Sequence, residues 1–335
     1  MIYVEKYGVG GQQSTDSTDL TDSTDATEST PALGVSVSVD YWVLDESGRL
    51  ADATCVDRVP GADRTDSPYS IAVETPVCGT CSELRAVLTS ELRTALTAAG
   101  DQGCRLLAVG VRPDSVDGGH GDGPPPETAS TRVRFTTDPK TATSVYNVLL
   151  ALDPAFALLE STCSPGVSRR AALMDDSKPS VQGYRASHPA AGNDLTASQP
   201  LAGAGDHWQP VELVDASTVE WRSLSAATPT LLVDLIGDVL TVLQQATDCR
   251  IEIGTFGNGF EVGCLQLPST AWRQQYLDDA ITEGLESLRL RAYLDRLGFD
   301  TGWYHHARPP AVDAPTDRDH QARCRQRAEL LAADA

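Results

Sequence analysis

Lysine is nearly absent from this chain. Only Lys6, Lys140 and Lys178 occur in 335 residues, and 26 basic groups face 47 acidic ones for a formal net charge of −21. No basic run exists to neutralise phosphates, which argues against nucleic acid or an anionic membrane as partner. No apolar stretch reaches the roughly 18 residues that a bilayer span requires. The opening "MIYVEKYGVGGQQ" lacks the basic start and apolar run of a signal peptide, so a cytoplasmic protein is expected. No solenoid-period repeat is visible. Dense carboxylates with so little lysine predict solvation in the high-salt cytoplasm of a halophilic archaeon or bacterium, where screening tolerates self-repulsion. In that setting most of the 8 cysteines should be reduced and buried as small hydrophobes.

What is present reads as alternating strands and amphipathic helices. Residues 12–31, "QQSTDSTDLTDSTDATESTP", have little to bury, and 1–32 is expected to be a disordered acidic leader. "GVSVSVDYWVL" alternates as a strand before the turn at Ser47-Gly48, and "SIAVET" as a second. Thr80 and Glu83 form a capping-box pair that starts a helix with an apolar stripe through Leu84, Leu88 and Leu92, ending at Gly100. "RLLAVGV" (105–111) reads as a buried strand and "STRVRFTT" as a short one. Asp138-Pro139 and Asp153-Pro154 predict two successive helices. Residues 165–216 form a long Gly/Pro/Ser/Asp-rich loop, and "STVEWRSL" (217–224) is the next strand. Thr228-Pro229 opens a further helix, and Pro268-Ser269 a long one towards Leu297. The tail after Pro310 is polar, with a short helix near 318–333.

Three motifs invite chemistry. Cys78-Gly79-Thr80-Cys81 lies between strand and helix, as a thiol–disulfide centre does, and a thiolate at Cys81 would be favoured by the helix N-terminus. The capping pair already explains that joint, however, and no tryptophan precedes the cysteines, so an incidental pair is preferred. "GTFGNGFEVG" (254–263) lacks the Gly-Lys-Ser/Thr ending of a phosphate loop and reads as a turn between strands. His305 and His306 are adjacent, diverge, and read as loop histidines.

The segments "GVSVSVDYWVLDESGRL", "VETPVCGTCSELRAVL", "LLAVGVRP", "RVRFTTDPKTATSVYNVLLALDPAFALLESTCSP" and "TVEWRSLSAATP", in that order, resemble the bacterial and archaeal glutamate–cysteine ligase family, which includes carboxylate–amine ligases. The resemblance covers roughly residues 33–300, leaving 301–335 as a tail. It implies an α+β fold of the glutamine-synthetase-like type, a curved antiparallel sheet backed by helices. It also implies an ATP-dependent reaction in which a glutamate carboxylate is phosphorylated and an amine attacks the acyl phosphate. An amino acid or a cysteine-bearing peptide would be the acceptor, and homo-oligomerisation stays open. ATP and Mg²⁺ are the implied cofactors, because carboxylates must hold the ion against phosphates and cations must stabilise the transferring group.

The family pattern carries over position by position. Its two glutamates on the first strand fall at Ser38 and Asp40, and that of the second strand falls at Ala72, with Glu74 two residues on and on the same face. The Gly-Thr-His-Pro of the third strand is Gly110-Val111-Arg112-Pro113, and the His-Val-His-Val of the fourth is Arg132-Val133-Arg134-Phe135. The last strand keeps its glutamate and arginine as Glu220 and Arg222, while the following aspartate is Ser225. The implied site has Asp40, Glu74 and Glu220 on metal, Arg222 and Arg112 on nucleotide phosphate, and Arg132, Arg134 and Arg222 beside the reacting groups. Arginine cannot ligate Mg²⁺, so the exchange of histidine for arginine moves the pocket from metal-rich towards anion-binding. The plain alternative for Glu220 and Arg222 is a cross-strand ion pair on a solvated face. Two further functions stand beside the ligase: a paralogue that has lost catalysis and binds an anion or partner, and a thiol oxidoreductase through Cys78 and Cys81.

Overall fold

The structure is a computed structural model, and it describes residues 33–56, 62–65, 67–113, 128–159, 183–185, 209–254, 256–307 and 317–335. The expected acidic leader and most of the 165–216 loop lie outside the described residues. Pro31–Ala335 forms one compact unit.

Alternation builds the large sheet. In β1 (Gly34–Leu44), Val35, Val37, Val39, Tyr41 and Val43 all point inward and are buried. β2 (Ala62–Arg64), β3 (Ser70–Glu74), β4 (Arg105–Leu107), β5 (Ser130–Thr136), β6 (Val211–Leu213) and β7 (Thr218–Ser225) complete it, in the order β2-β3-β1-β5-β7-β6, with β4 paired to the far end of β1. Every pairing in this sheet is antiparallel. A second sheet joins β8 (Arg250–Gly254), β9 (Phe256–Glu261) and β10 (Cys264–Pro268), and its β8–β10 pair is parallel.

The expected single curved antiparallel sheet is therefore corrected. The fold is mixed α/β with no strongly curled or closed sheet. The two ends of the large sheet are β2 and β6, each 3 residues long, which offer too few backbone groups to pair around into a closure. The parallel pair sits in the separate small sheet.

Helices cover the apolar side. α1 (Cys81–Asp101) begins at Thr80 as predicted, with Glu83 N donating to Thr80 Oγ1 at 3.1 Å, but the Glu83 carboxylate reaches one residue further back than a capping box requires and accepts from Gly79 N at 2.8 Å. Its stripe of Leu84, Leu88, Leu92, Ala95 and Ala99 is buried. α2 (Ala142–Leu152) starts after Thr141, not Asp138, whose carboxylate closes a tight turn by accepting from Lys140 N at 2.7 Å. The second expected helix is a 3-10 turn, Asp153–Leu158, that continues directly from α2. α3 (Pro229–Thr247) has proline in its first turn, as predicted.

One long helix was expected after Ser269, and two are found. α4 (Thr270–Thr282) stops before Gly284, whose φ of 57° turns the chain, and Ser287 caps a new start for α5 (Leu288–Arg296) by accepting from Leu290 N at 3.2 Å. α6 (Thr301–Ala307) carries His305 and His306, which are thus helical rather than in a loop, and His305 lies 3.0 Å from Glu286. α7 (Asp317–Asp334) buries Cys324, Ala328 and Leu331 against the β4 side of the sheet. The glycine-rich 254–263 stretch is not a turn but mostly strand β9, where Gly259 at φ 76° leaves no room for a Cβ beside the Arg296 carbonyl.

Candidate functional site

Register decides which polar side chains share a face. Across β1 and β3, Ser38 stands opposite Glu74 and Asp40 opposite Ala72. Across β1 and β5, Ser36 faces Arg134 and Ser38 faces Arg132. Across β5 and β7, Arg134 faces Glu220, which in turn faces Glu212 on β6. Side chains alternate along a strand, so these residues project from one side of the sheet while the valines project from the other. Asp40, Glu74, Arg132, Arg134, Glu220 and Arg222 are thereby brought to a single polar face. Arg112 lies past β4 and outside the strands; its guanidinium carbon sits 4.7 Å from the centre of the Tyr69 ring.

A bulge in β7 shapes that face. Two residues, Arg222 and Ser223, oppose Arg132, because Thr131 pairs with Leu224 and Val133 with Trp221. Trp221 Nε1 reaches the buried Asp153 at 3.1 Å on the helix side, and Ser223 Oγ donates to the same carboxylate oxygen. Arg222 stays on the polar side. The Asp153-Pro154 motif thus acts as an anchor beneath the site as well as a helix signal.

The centre of the polar face is Glu220, whose side chain is 2% exposed. Arg134 Nε donates to its Oε2 at 2.6 Å, Arg222 Nε donates to its Oε1, and Arg222 Nη1 pairs with Glu212. Burial pushes the Glu220 carboxyl up, but hydrogen bonds from Arg134 and Arg222, with their charges, outweigh it and hold the group below its ordinary range. Asp40 is buried and accepts from Ser130 N at 3.0 Å and Ser130 Oγ at 2.6 Å. Glu74 is exposed at the β3 side.

These residues do not fit a Mg²⁺ ion as they stand. Mg²⁺ needs free carboxylate oxygens in near-octahedral order, and both oxygens of Glu220 are taken by guanidiniums. Among the described residues, no group of three or more His, Cys, Asp or Glu side chains is gathered closely enough to hold a metal. Asp40, Glu74 and Glu220 share a face without converging.

The cysteine pair lies elsewhere. Cys78 is buried and bridges to Val35 through paired backbone hydrogen bonds of 2.7 and 2.9 Å. Cys81, at the start of α1, borders a cleft of about 350 Å³ with Arg85, Asp234, Asp238 and Trp303. Burial pushes the Cys81 thiol up, Arg85 opposes this, and Asp234 and Asp238 push it further up. Burial first, and the two carboxylates after it, thus work against the thiolate that the helix N-terminus was expected to favour. Both cysteines are free thiols. Sequence reading missed Glu212 and Ser130, and took Asp153 only as a helix start; the exposed-parity position of Glu212 in "VELV" was the only available signal for it.

No family model matches the chain, and no curated protein does. Solved structures similar to it include a bifunctional glutathione synthetase from Pasteurella multocida, with a TM-score of 0.48 and 9% identity over 90% of this chain and 53% of that one. A novel glutamine synthase homolog follows with a TM-score of 0.42 and 14% identity over 89% of this chain and 71% of that one. The complex between the prokaryotic ubiquitin-like protein Pup and its ligase PafA gives a TM-score of 0.41 and 10% identity, over 90% of this chain and 63% of that one. The chain spans about half the length of the first of these (53%). Among the described residues, no helix is long and apolar enough to cross a membrane.

Proposed function

We propose that the protein binds a carboxylate- or phosphate-bearing small molecule on the polar face of the large sheet. There it would act as an ATP-dependent carboxylate–amine ligase of the kind its sequence resembles, forming an amide through an acyl phosphate. The observation that carries this reading is register. Positions where the resemblance calls for functional side chains, on β1, β3, β5 and β7, project from one face of one sheet. Arg132 and Arg134 then serve the reacting carboxylate, and Arg222 and Arg112 serve nucleotide phosphates. An amino acid or a cysteine-bearing peptide is the acceptor. No step is assigned to a metal held by Asp40, Glu74 and Glu220. The division into an acidic leader (1–32), a ligase-like region (33–300) and a C-terminal segment (301–335), and a halophilic cytoplasmic setting, belong to the same proposal.

A second reading is binding without turnover, favoured by the full engagement of Glu220 with two arginines. One experiment separates the two. Purified protein in concentrated KCl is given ATP, Mg²⁺, glutamate and candidate amines. Amine-dependent ADP release that disappears in Arg132→Ala supports the ligase. Anion binding without such release supports the second reading, and neither activity refutes both.

A further inference from the structure

Two buried polar atoms on this face lack partners. Asp40 is 7% exposed, and while its Oδ2 takes both hydrogen bonds from Ser130, its Oδ1 takes none. Arg132 donates to Ser38 Oγ at a long 3.4 Å, and its Nε is buried with no acceptor. Arg134 and Arg222 pair with Glu220 and Glu212, whereas Arg132 forms no ion pair with any described residue. Register places Ser38 opposite Arg132 and Asp40 two residues further along β1, so the two unsatisfied side chains are diagonal neighbours. A buried donor or acceptor left unpaired is costly, and such groups are normally satisfied by protein, water or a ligand.

We infer that the anionic group of the ligand sits on Arg132 and is held without a divalent cation, with Glu220 as the fixed counter-ion of Arg134 and Arg222 rather than a metal ligand. The inference rests on the proposed use of this face. A cation arriving at Glu220 would have to displace two charge-assisted hydrogen bonds and sit beside two guanidiniums, whose charge repels it. An anion at Arg132 meets neither obstacle. Asp40 Oδ1 can only accept, so the ligand carries a hydrogen-bond donor, an ammonium or hydroxyl, close to its negative group. Phosphate and carboxylate both satisfy Arg132, and the test distinguishes them.

The test is calorimetric titration of the full chain with L-glutamate and, separately, with inorganic phosphate, each in EDTA and in excess MgCl₂. One probe is expected to bind with the same affinity in both media. Arg132→Gln should weaken that binding about tenfold or more, the loss of a charge-assisted contact, and Arg132→Lys should restore part of it. Glu220→Gln should leave the binding intact or tighten it, because it removes negative charge beside the arginines. Mn²⁺ titrated alone, followed by electron paramagnetic resonance, should remain free. Binding that appears only with Mg²⁺, is lost in Glu220→Gln and is accompanied by bound Mn²⁺ overturns the inference while leaving the face as the site. No binding of either probe in either medium overturns both. Thermal melts of each variant establish folding, and Arg132, partly exposed at the face, keeps the test decisive should Glu220→Gln unfold.

Discussion

Removing both arginines from Glu220 should invert its contribution to stability as a function of pH. With the side chain 2% exposed, the carboxylate depends on Arg134 and Arg222 for compensation. Its folded pKa lies below the ordinary glutamate value, because the two guanidiniums outweigh the burial that pushes it up. The stabilisation is therefore present above the unfolded pKa of about 4.3 and is lost as pH falls through the folded value. In an Arg134→Gln/Arg222→Gln variant, burial alone remains and raises the folded pKa above the unfolded one. The variant then carries a penalty at neutral pH that is relieved as pH falls. A hydrogen bond to a charged group contributes about 1.5–3 kcal/mol. Arg134 and Arg222 are 46% and 32% exposed, which places each at the low end of that range. The single variants should lose about 1.5 kcal/mol each and the double variant about 3 kcal/mol at neutral pH, close to the cost of stranding a buried charge. Urea unfolding at about pH 7 and about pH 4.3 on the four proteins measures this, because the raised carboxyl of the double variant takes up its proton on the way to the lower pH while that of the parent stays ionised. A double variant within about 0.5 kcal/mol of the parent at neutral pH, or a deficit that grows in acid, would refute the reasoning.

Three further outcomes follow from local geometry. Asp153→Ala strips the shared acceptor of Trp221 Nε1 and Ser223 Oγ in the core; the expected loss is about 3 kcal/mol, read from the urea midpoint. Thr80→Ala removes the N-cap of α1 and should cost about 1 kcal/mol by the same measurement. Iodoacetamide should alkylate Cys81 more slowly at neutral pH than a cysteine in a short peptide, and Asp234→Asn should accelerate it, because Asp234 helps to push the thiol up. A Cys81 rate faster than the peptide's would revive the redox reading.

The helix starts were legible where the signal was local. Thr80 and Glu83 bond as their spacing predicts, and Thr228-Pro229 opens α3, because a cap is decided within one turn of chain. Asp138 and Asp153 misled for the same reason in reverse. Either aspartate suits an N-cap, but one was claimed by a tight turn and the other by Trp221 and Ser223, which lie 68 and 70 residues away. The break at Gly284 was legible only as a glycine, since a continuous apolar pattern does not reveal that Ser287 will recap the helix.

For the site, alternation alone fixed that Asp40, Arg132, Arg134, Glu220 and Arg222 lie opposite the valines of their strands, since parity is a property of each strand by itself. Only pairing decided that they share one face, that Arg134 stands against Glu220, and that a bulge sets both Arg222 and Ser223 against Arg132. Whether the carboxylates would gather round a metal or be taken by arginines was likewise invisible in the sequence. That outcome depends on which long side chain reaches a carboxylate across neighbouring strands, and a strand's own residues do not encode its neighbours' register.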